Sequence, residues 1–442
     1  MLFISKSKWL ALLGALTIGA GTALAQDSGP LIDILVKKGI VTDQEAEDLR
    51  ADLVRDFATN TAAGKLNLGS GLTEFRISGD LRARYESRTG ELASGDHQER
   101  DRFRYRFRTA ITGRVLNNWA FGARLETAAG SRSANVTMGD DAGPFAKTSD
   151  TVNIGQIYIQ YLPTSDLTFT FGRMANPFVT TAMTWDADIN PEGIAEAWKH
   201  RADKTEWSFT AGQFLYSAAS TQNAFGAAAN VDDLLMLGWQ GGYKYYQDGA
   251  MNFFQINPAI YHYMQNNPRN PAAFKGTFSA ANTAAVNNLF VIDVPVEYDW
   301  VLGSQPSRVF ADVAVNLQGD DRATKWGRAD LKNQNKAYQF GFQYGKAANR
   351  GEWDAKLAYQ YVGAFALDPN LVDSDLFDSR VNMKGLIFTG DYALGGATLL
   401  TVTVGNAEQA DKSLIAPGTG DIGANNALDK YWLLQVDLNL KF

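Results

Sequence analysis

The sequence predicts an all-β membrane protein, a 16-stranded antiparallel transmembrane β-barrel with a short N-terminal periplasmic α-helical segment. Three observations predict it. First, Trp432, Leu434, Val436, Leu438, Leu440 and Phe442 alternate with Gln435, Asp437, Asn439 and Lys441 up to the terminal carboxylate. A strand alternates its side chains with period two, so the chain ends on a strand that is apolar on one face and polar on the other. Second, the same pattern recurs from Thr73 onward, between connections that alternate short and long. Third, no apolar run beyond the N-terminal one approaches the ~20 residues of a spanning helix, which leaves strands, an anchor or a surface helix.

The N-terminus reads as an export signal. Lys6 and Lys8 precede an apolar run from Trp9 to Ala20, and Ala23-Leu24-Ala25 forms a small-residue cleavage site. Residues 1–25 are therefore a signal peptide, and the chain is exported. Removing Lys6 and Lys8 from the 41 basic residues leaves 39 against 48 acidic ones, a net charge of about −9. That balance argues against a nucleic-acid partner, which needs a net basic face. The absence of cysteine excludes disulfides, thiolate metal sites and a lipidated cysteine anchor.

Residues 26–58 form the helical segment. Leu31, Ile34 and Leu35 give a short amphipathic stretch that stops at Gly39. Thr42-Asp-Gln-Glu45 is a capping box, and Ala46, Leu49, Leu53 and Phe57 mark one face of the following helix. So small a stripe cannot build its own core, and it should pack on a partner copy, on the periplasmic rim or on the cell wall. Residues 59–72 read as a linker, and 73–442 as the barrel.

The sixteen strands fall at 73–88, 100–114, 118–128, 152–162, 166–174, 192–200, 205–216, 233–246, 250–264, 288–300, 307–319, 335–347, 352–364, 382–392, 397–407 and 430–442. In 192–200 and 397–407 neither face is plainly polar. The short connections are 116–118, 163–166, 201–204, 247–249, 301–306, 348–351 and 393–396. The long ones are 89–99, 129–151, 175–191, 217–232, 265–287, 320–334, 365–381 and 408–429. Tight periplasmic turns, long external loops and an even strand count belong to a membrane barrel. A soluble sandwich has no reason to sort its loops by length.

Charge is concentrated early. Arg76, Arg82, Arg84 and Arg88 share the polar face of the first strand, and Arg100, Arg102, Arg104, Arg106 and Arg108 that of the second, opposed by Phe103, Tyr105, Phe107 and Ile111. Arg124 follows on the third strand with Glu126. A cation facing acyl chains costs about 2–4 kcal/mol at mid-membrane, so these side chains should point into the lumen. Arg82, Arg84, Arg104, Arg106, Arg108 and Arg124 then make a basic wall, partly relieved by Asp80, Glu86 and Glu126. Candidate constriction acids are Asp293 and Glu297 on the tenth strand, and Asp186 and Asp188 in the 175–191 connection should it fold inward. Such an arrangement would sort solutes by size and orient polar ones in a transverse field. The plainer alternative is a set of paired ladder residues in a water-filled wall. Arg100 and Arg102 lie nearer the external rim, where surface polysaccharide is available to pair with them.

Enzymatic readings find little support. His97, His200 and His262 have no paired ligand spacing, and His97 beside Asp96 and Glu99 reads as a solvated turn. His262, between Tyr261 and Tyr263, reads as a girdle or lumen residue. Gly139-Asp-Asp141 and Gly319-Asp-Asp321 match no calcium loop. No catalytic residue, metal or cofactor is expected.

The chain resembles the bacterial putative porin family. The resemblance rests on Leu35-Val-Lys-Lys-Gly-Ile-Val-Thr-Asp-Gln-Glu45, Ile77-Ser-Gly-Asp-Leu-Arg-Ala-Arg84, Phe171-Gly-Arg-Met-Ala-Asn-Pro-Phe178, Trp185-Asp-Ala-Asp-Ile-Asn-Pro-Glu-Gly193 and the terminal Phe442. It implies a Gram-negative outer-membrane channel in contact with lipid and lipopolysaccharide. Similarity to sixteen-stranded porins further implies a homotrimer, an inward third long loop, and Phe442 as the signal read by the barrel assembly machinery. The expected function is passive diffusion of small hydrophilic solutes, with the arginine wall favouring anionic or zwitterionic ones. The competing reading is a structural or adhesive barrel that tethers the membrane to the cell wall through residues 30–58.

Overall fold

The computed structural model describes residues 36–38, 42, 44–49, 69–128, 133–140, 151–217, 234–247, 252–264, 288–414, 420–422 and 428–442. The expected signal peptide, most of the helical segment and linker, and parts of four long connections (129–151, 217–232, 265–287 and 408–429) lie outside the described residues. The chain divides into two units, Met1–Ser70 and Gly71–Phe442. In the first, the capping box forms: the Thr42 N–H donates to Glu45 Oε2 at 2.9 Å, and the Glu45 N–H to Thr42 Oγ1 at 3.3 Å. Ala46 on the expected apolar face is buried, whereas Leu49 is exposed.

The second unit is a closed antiparallel barrel of eighteen strand segments. These are β1 (Leu72–Leu92), β2 (His97–Val115), β3 (Trp119–Ala128), β4 (Val136–Thr137), β5 (Thr151–Tyr161), β6 (Leu167–Arg173), β7 (Glu192–Ala202), β8 (Thr205–Ser217) and β9 (Leu234–Tyr246). They continue as β10 (Phe253–Ile256), β11 (Ala259–Met264), β12 (Phe290–Leu302), β13 (Gln305–Asn316), β14 (Lys336–Gly345), β15 (Trp353–Val362), β16 (Met383–Gly395), β17 (Thr398–Gln409) and β18 (Leu428–Lys441). They amount to sixteen staves. The two-residue β4 extends the β3 stave along β2. β10 and β11 are one stave between β9 and β12, interrupted at Asn257-Pro258 because proline has no N–H to give the ladder. Each stave pairs with the next in sequence, and β18 pairs with β1 from Asp80↔Lys441 to Leu92↔Leu428, which removes every edge.

Every expected strand is present. The short turns behave as tight hairpins: Asn117 and Asn118 both take positive φ (62° and 66°), the type I′ geometry whose twist matches the flanking strands. The strand expected at 307–319 ends at Asn316, and the helix Gly319–Lys325 and the 3-10 turn Ala329–Gln334 that follow it carry no strand period and were not expected. Outward positions carry the apolar band, with Phe103, Ile157, Phe171 and Phe340 at least half exposed.

The lumen is not empty. Segment 175–191 turns inward, as expected, and the 363–382 segment after β15 does so as well. Met183 and Trp185 from the first, and Leu371, Val372, Leu376 and Phe377 from the second, are buried with the inward-facing Phe214, Met236, Tyr261, Val291, Tyr431 and Leu433 of the wall. The two segments are joined through their backbones, by Asp186 N–H to Leu371 O at 2.6 Å and Asp373 N–H to Ala182 O at 3.2 Å. A packed apolar cluster therefore fills part of the long-loop end of the barrel.

Candidate functional site

The charged lumen is built on β1, β2 and β18. Their register sets Arg82 opposite Arg106 and Arg84 opposite Arg104 across one ladder, and Arg84 opposite Asp437 across the other. Like charges directly opposite each other destabilise a sheet unless something bridges them. Asp80 accepts from Arg106 at 2.8 Å and from Arg108 at 2.6 Å. Glu86, wholly buried, is shared by Arg88 at 3.0 Å, Arg102, and Arg104 at 3.6 Å. Arg84 forks onto Asp437 through Nε at 2.6 Å and Nη2 at 2.7 Å, the bidentate geometry that adds both strength and orientation. Arg82 donates to Asn439 at 2.8 Å, Arg104 to the Asn135 carbonyl at 2.9 Å, and Arg124 lies 2.8 Å from Glu126.

The inward segments supply the remaining carboxylates. Asp188 stands 3.4 Å from Arg108 and 3.8 Å from Arg106. Asp375 lies 3.7 Å from Arg84 and 3.6 Å from Arg88. Asp378 accepts from Arg88 at 2.6 Å and from the Asp421 and Ile422 N–H groups at 3.0 Å each, so it ties 363–382 to 420–422. Burial pushes the Asp378 carboxyl above its ordinary value, against the pull of Arg88 and Arg380. Burial acts in the same direction on Asp421, but Arg88 and Arg102 outweigh it and hold that carboxyl below its ordinary value. Asp373 is pushed well up, by burial and then by Asp375, Asp186 and Asp188.

All six arginines of the expected wall face inward, each with an acidic, amide or carbonyl partner. The acids are dispersed. Of the four candidates, Asp188 faces the arginine wall, beside Arg106 and Arg108. Asp186 turns its carboxylate back to the Asp188 N–H at 2.9 Å. Glu297 lies on the inner wall 3.5 Å from Arg308, and Asp293 is fully buried beneath 175–191 with Thr184. Arg102, expected at the rim, is instead buried between Glu86 and Asp421. Asp375, Asp378 and Asp421 were missed because long loops carry no periodicity. Asp437 was within reach of the sequence reading, since the last strand of a closed barrel must pair with the first. His262 sits against Phe290, and the exposed His200 pairs with Asp166 at 2.6 Å beside Trp198. Among the described residues no cluster of three histidine or acidic side chains is placed to hold a metal.

Comparison with solved structures finds a substituted porin of Rhodopseudomonas blastica, 9% identical over 84% of this chain and 100% of that chain, with a TM-score of 0.43. A triple mutant of the same porin is 10% identical at the same coverage, with a TM-score of 0.42. Comparison with curated proteins finds no match. The family described as "Putative porin" matches residues 93–292 and 292–442, which together cover most of the barrel. The chain belongs to this putative porin family, and its sixteen-stave barrel is a porin-like channel.

Proposed function

We propose that the protein is an outer-membrane diffusion channel for small hydrophilic solutes, with a lumen that favours zwitterionic and anionic ones. The observation that carries this is that water-accessible charges of opposite sign stand side by side where the inward segments meet the arginine wall. The Arg82 and Arg108 side chains keep 19% and 21% of their surface on the wall, while Asp188 and Asp375 keep 23% and 30% on the inward segments. A solute with both a positive and a negative end gains from both sides. In the network, Arg82, Arg84, Arg88, Arg102, Arg104, Arg106, Arg108 and Arg124 interleave with carboxylates, two of which, Asp421 and Asp378, also pair with Arg100 and Arg380. The carboxylates are Asp80, Glu86, Glu126, Asp188, Asp375, Asp378, Asp421 and Asp437. That interleaving favours dipolar solutes over a strong anion filter.

In this reading residues 1–25 direct export, the short turns face the periplasm, and lipopolysaccharide surrounds the long-loop end. The barrel assembly machinery reads Phe442, which remains 55% exposed at the closing seam. The assembly is a homotrimer. Its support is an ion pair on the outer wall: Arg173 and Glu192 bind each other among the exposed Ile154, Phe171 and Ile194. Charges there are costly against acyl chains and are better covered by another copy.

Single-channel recording in a planar bilayer tests the reading. The native protein should conduct, and Arg82→Gln with Arg108→Gln should move the reversal potential toward cations. A protein that never conducts would sink the channel; an unmoved reversal potential would sink the arginine role alone.

A further inference from the structure

On the wall away from the arginines, two carboxylates are buried together with no cation beside them. Asp293 on β12 and Asp312 on β13 are diagonal neighbours in the ladder, with Val294 opposite Val313 between them. Both are fully buried, and no ion pair joins either to a lysine, arginine or histidine among the described residues. Segment 175–191 covers them with two hydroxyls. Thr181 Oγ1 donates to Asp312 Oδ2, and Thr184 Oγ1 lies 3.2 Å from Asp293 Oδ1 and 3.4 Å from Asp312 Oδ2.

Asp293 Oδ2, Asp312 Oδ1 and the Tyr261 hydroxyl have no hydrogen-bond partner at this place besides the two carboxyls themselves, which lie within reach of each other. Tyr261 is only 2% exposed, stands on β11 opposite Val291 in the ladder, and feels the charge of both carboxylates. Orphaned buried oxygens are uncommon and ask for an explanation. A single proton shared by the acids would join two of them. It would leave one negative charge among the buried apolar cluster that includes Met183, Val291 and Ala314, and it would leave the tyrosine oxygen unsatisfied. A divalent cation cancels both charges and takes oxygen ligands from all three groups.

We infer that Asp293, Asp312 and Tyr261, capped by Thr181 and Thr184, form a binding site for one hard divalent cation of calcium size. Two carboxylates and neutral oxygens are the donor set such an ion prefers, and magnesium, which gives up its waters reluctantly, fits a water-excluded pocket less well. Bound there, the ion clamps the constriction segment to the wall opposite the arginines. The site stands on the geometry of the wall and of segment 175–191 and does not depend on which solute the channel passes.

The test uses full-length protein refolded into detergent free of lipopolysaccharide, which itself binds divalent ions. Isothermal titration with calcium chloride should show one saturable site in the native protein. The Asp293→Asn and Asp312→Asn double variant should lose it, and Tyr261→Phe should weaken it several-fold. Calcium should raise the native melting temperature relative to a chelator, and the double variant should be insensitive to it. In chelator the double variant should melt no lower than the native protein, because it no longer confines two like charges. Absence of saturable calcium binding overturns the proposal, and so does equal binding by native protein and Tyr261→Phe. A melting temperature that follows pH and ignores calcium overturns it in favour of a shared proton. If the double variant fails to refold, Tyr261→Phe carries the decision through its affinity. Conductance of the native protein in chelator is measured separately, so a failed cation site and a failed channel are distinguishable.

Discussion

Arg84 shows how the wall works at the scale of a single residue. Its guanidinium is almost fully removed from water, and its fork onto Asp437 spans the seam where the first and last staves meet. Removing one partner of such a pair leaves an uncompensated buried charge, at a cost of about 3–5 kcal/mol. Arg84→Ala should therefore lower unfolding stability by about that much, as followed by tryptophan fluorescence in urea. The double change Arg84→Met with Asp437→Leu should recover most of the loss. Gly79 gives a second case. Its N–H and C=O exchange hydrogen bonds with the Phe442 backbone at 2.9 and 3.0 Å, and a Cβ there would collide with the Arg108 carbonyl oxygen and the Phe442 ring. Gly79→Ala should cost about 1–3 kcal/mol by overpacking and should slow folding into liposomes, read by the gel shift between folded and heated forms.

At the scale of elements, the inward segments decide how much lumen is open. Asp378 holds 363–382 to both Arg88 and the 420–422 backbone, so Asp378→Ala releases two segments at once. The expected outcome is a larger and noisier single-channel conductance with unchanged strand content by circular dichroism. Where 175–191 meets 363–382, Asp373 lies near Asp186, Asp188 and Asp375 and holds its proton more tightly than in the unfolded chain. A carboxyl raised in this way binds more protons folded than unfolded. The stability it contributes is therefore present below its unfolded value of about 3.9 and is lost as pH rises toward the folded value. The junction should accordingly loosen with rising pH, seen as faster protease cleavage within 363–382, and Asp373→Asn should flatten that dependence.

At the scale of the molecule, the two units can be assigned separate work. Deleting residues 26–58 should leave the conductance of the reconstituted barrel unchanged while removing any cell-wall association of the protein. If conductance disappears although the barrel still folds, the N-terminal segment is part of the channel. How far the sequence revealed this architecture depends on the kind of residue. All sixteen staves were legible, down to the weak 192–200 and 397–407 segments, because lipid on one side and water on the other impose period two on every strand. Arg82, Arg84, Arg104, Arg106, Arg108 and Arg124 were legible for the same reason. Glu297 and Asp293 were correctly placed on the inner face, but their neighbours were not visible, since parity says nothing about what lies across the barrel.

The sequence by itself therefore determined the barrel, its strand count, the alternation of turns and loops, and the inward direction of the arginines. Each follows from local periodicity and from the cost of charge in hydrocarbon. The tertiary structure alone decided how those charges are spent. It neutralised the arginines with Asp375, Asp378 and Asp421 from distant loops, filled part of the lumen with an apolar cluster, and buried Asp293 beside Asp312 and Tyr261. The reason is physical: loops obey no repeat, and their positions come from the contacts they find once the barrel has closed.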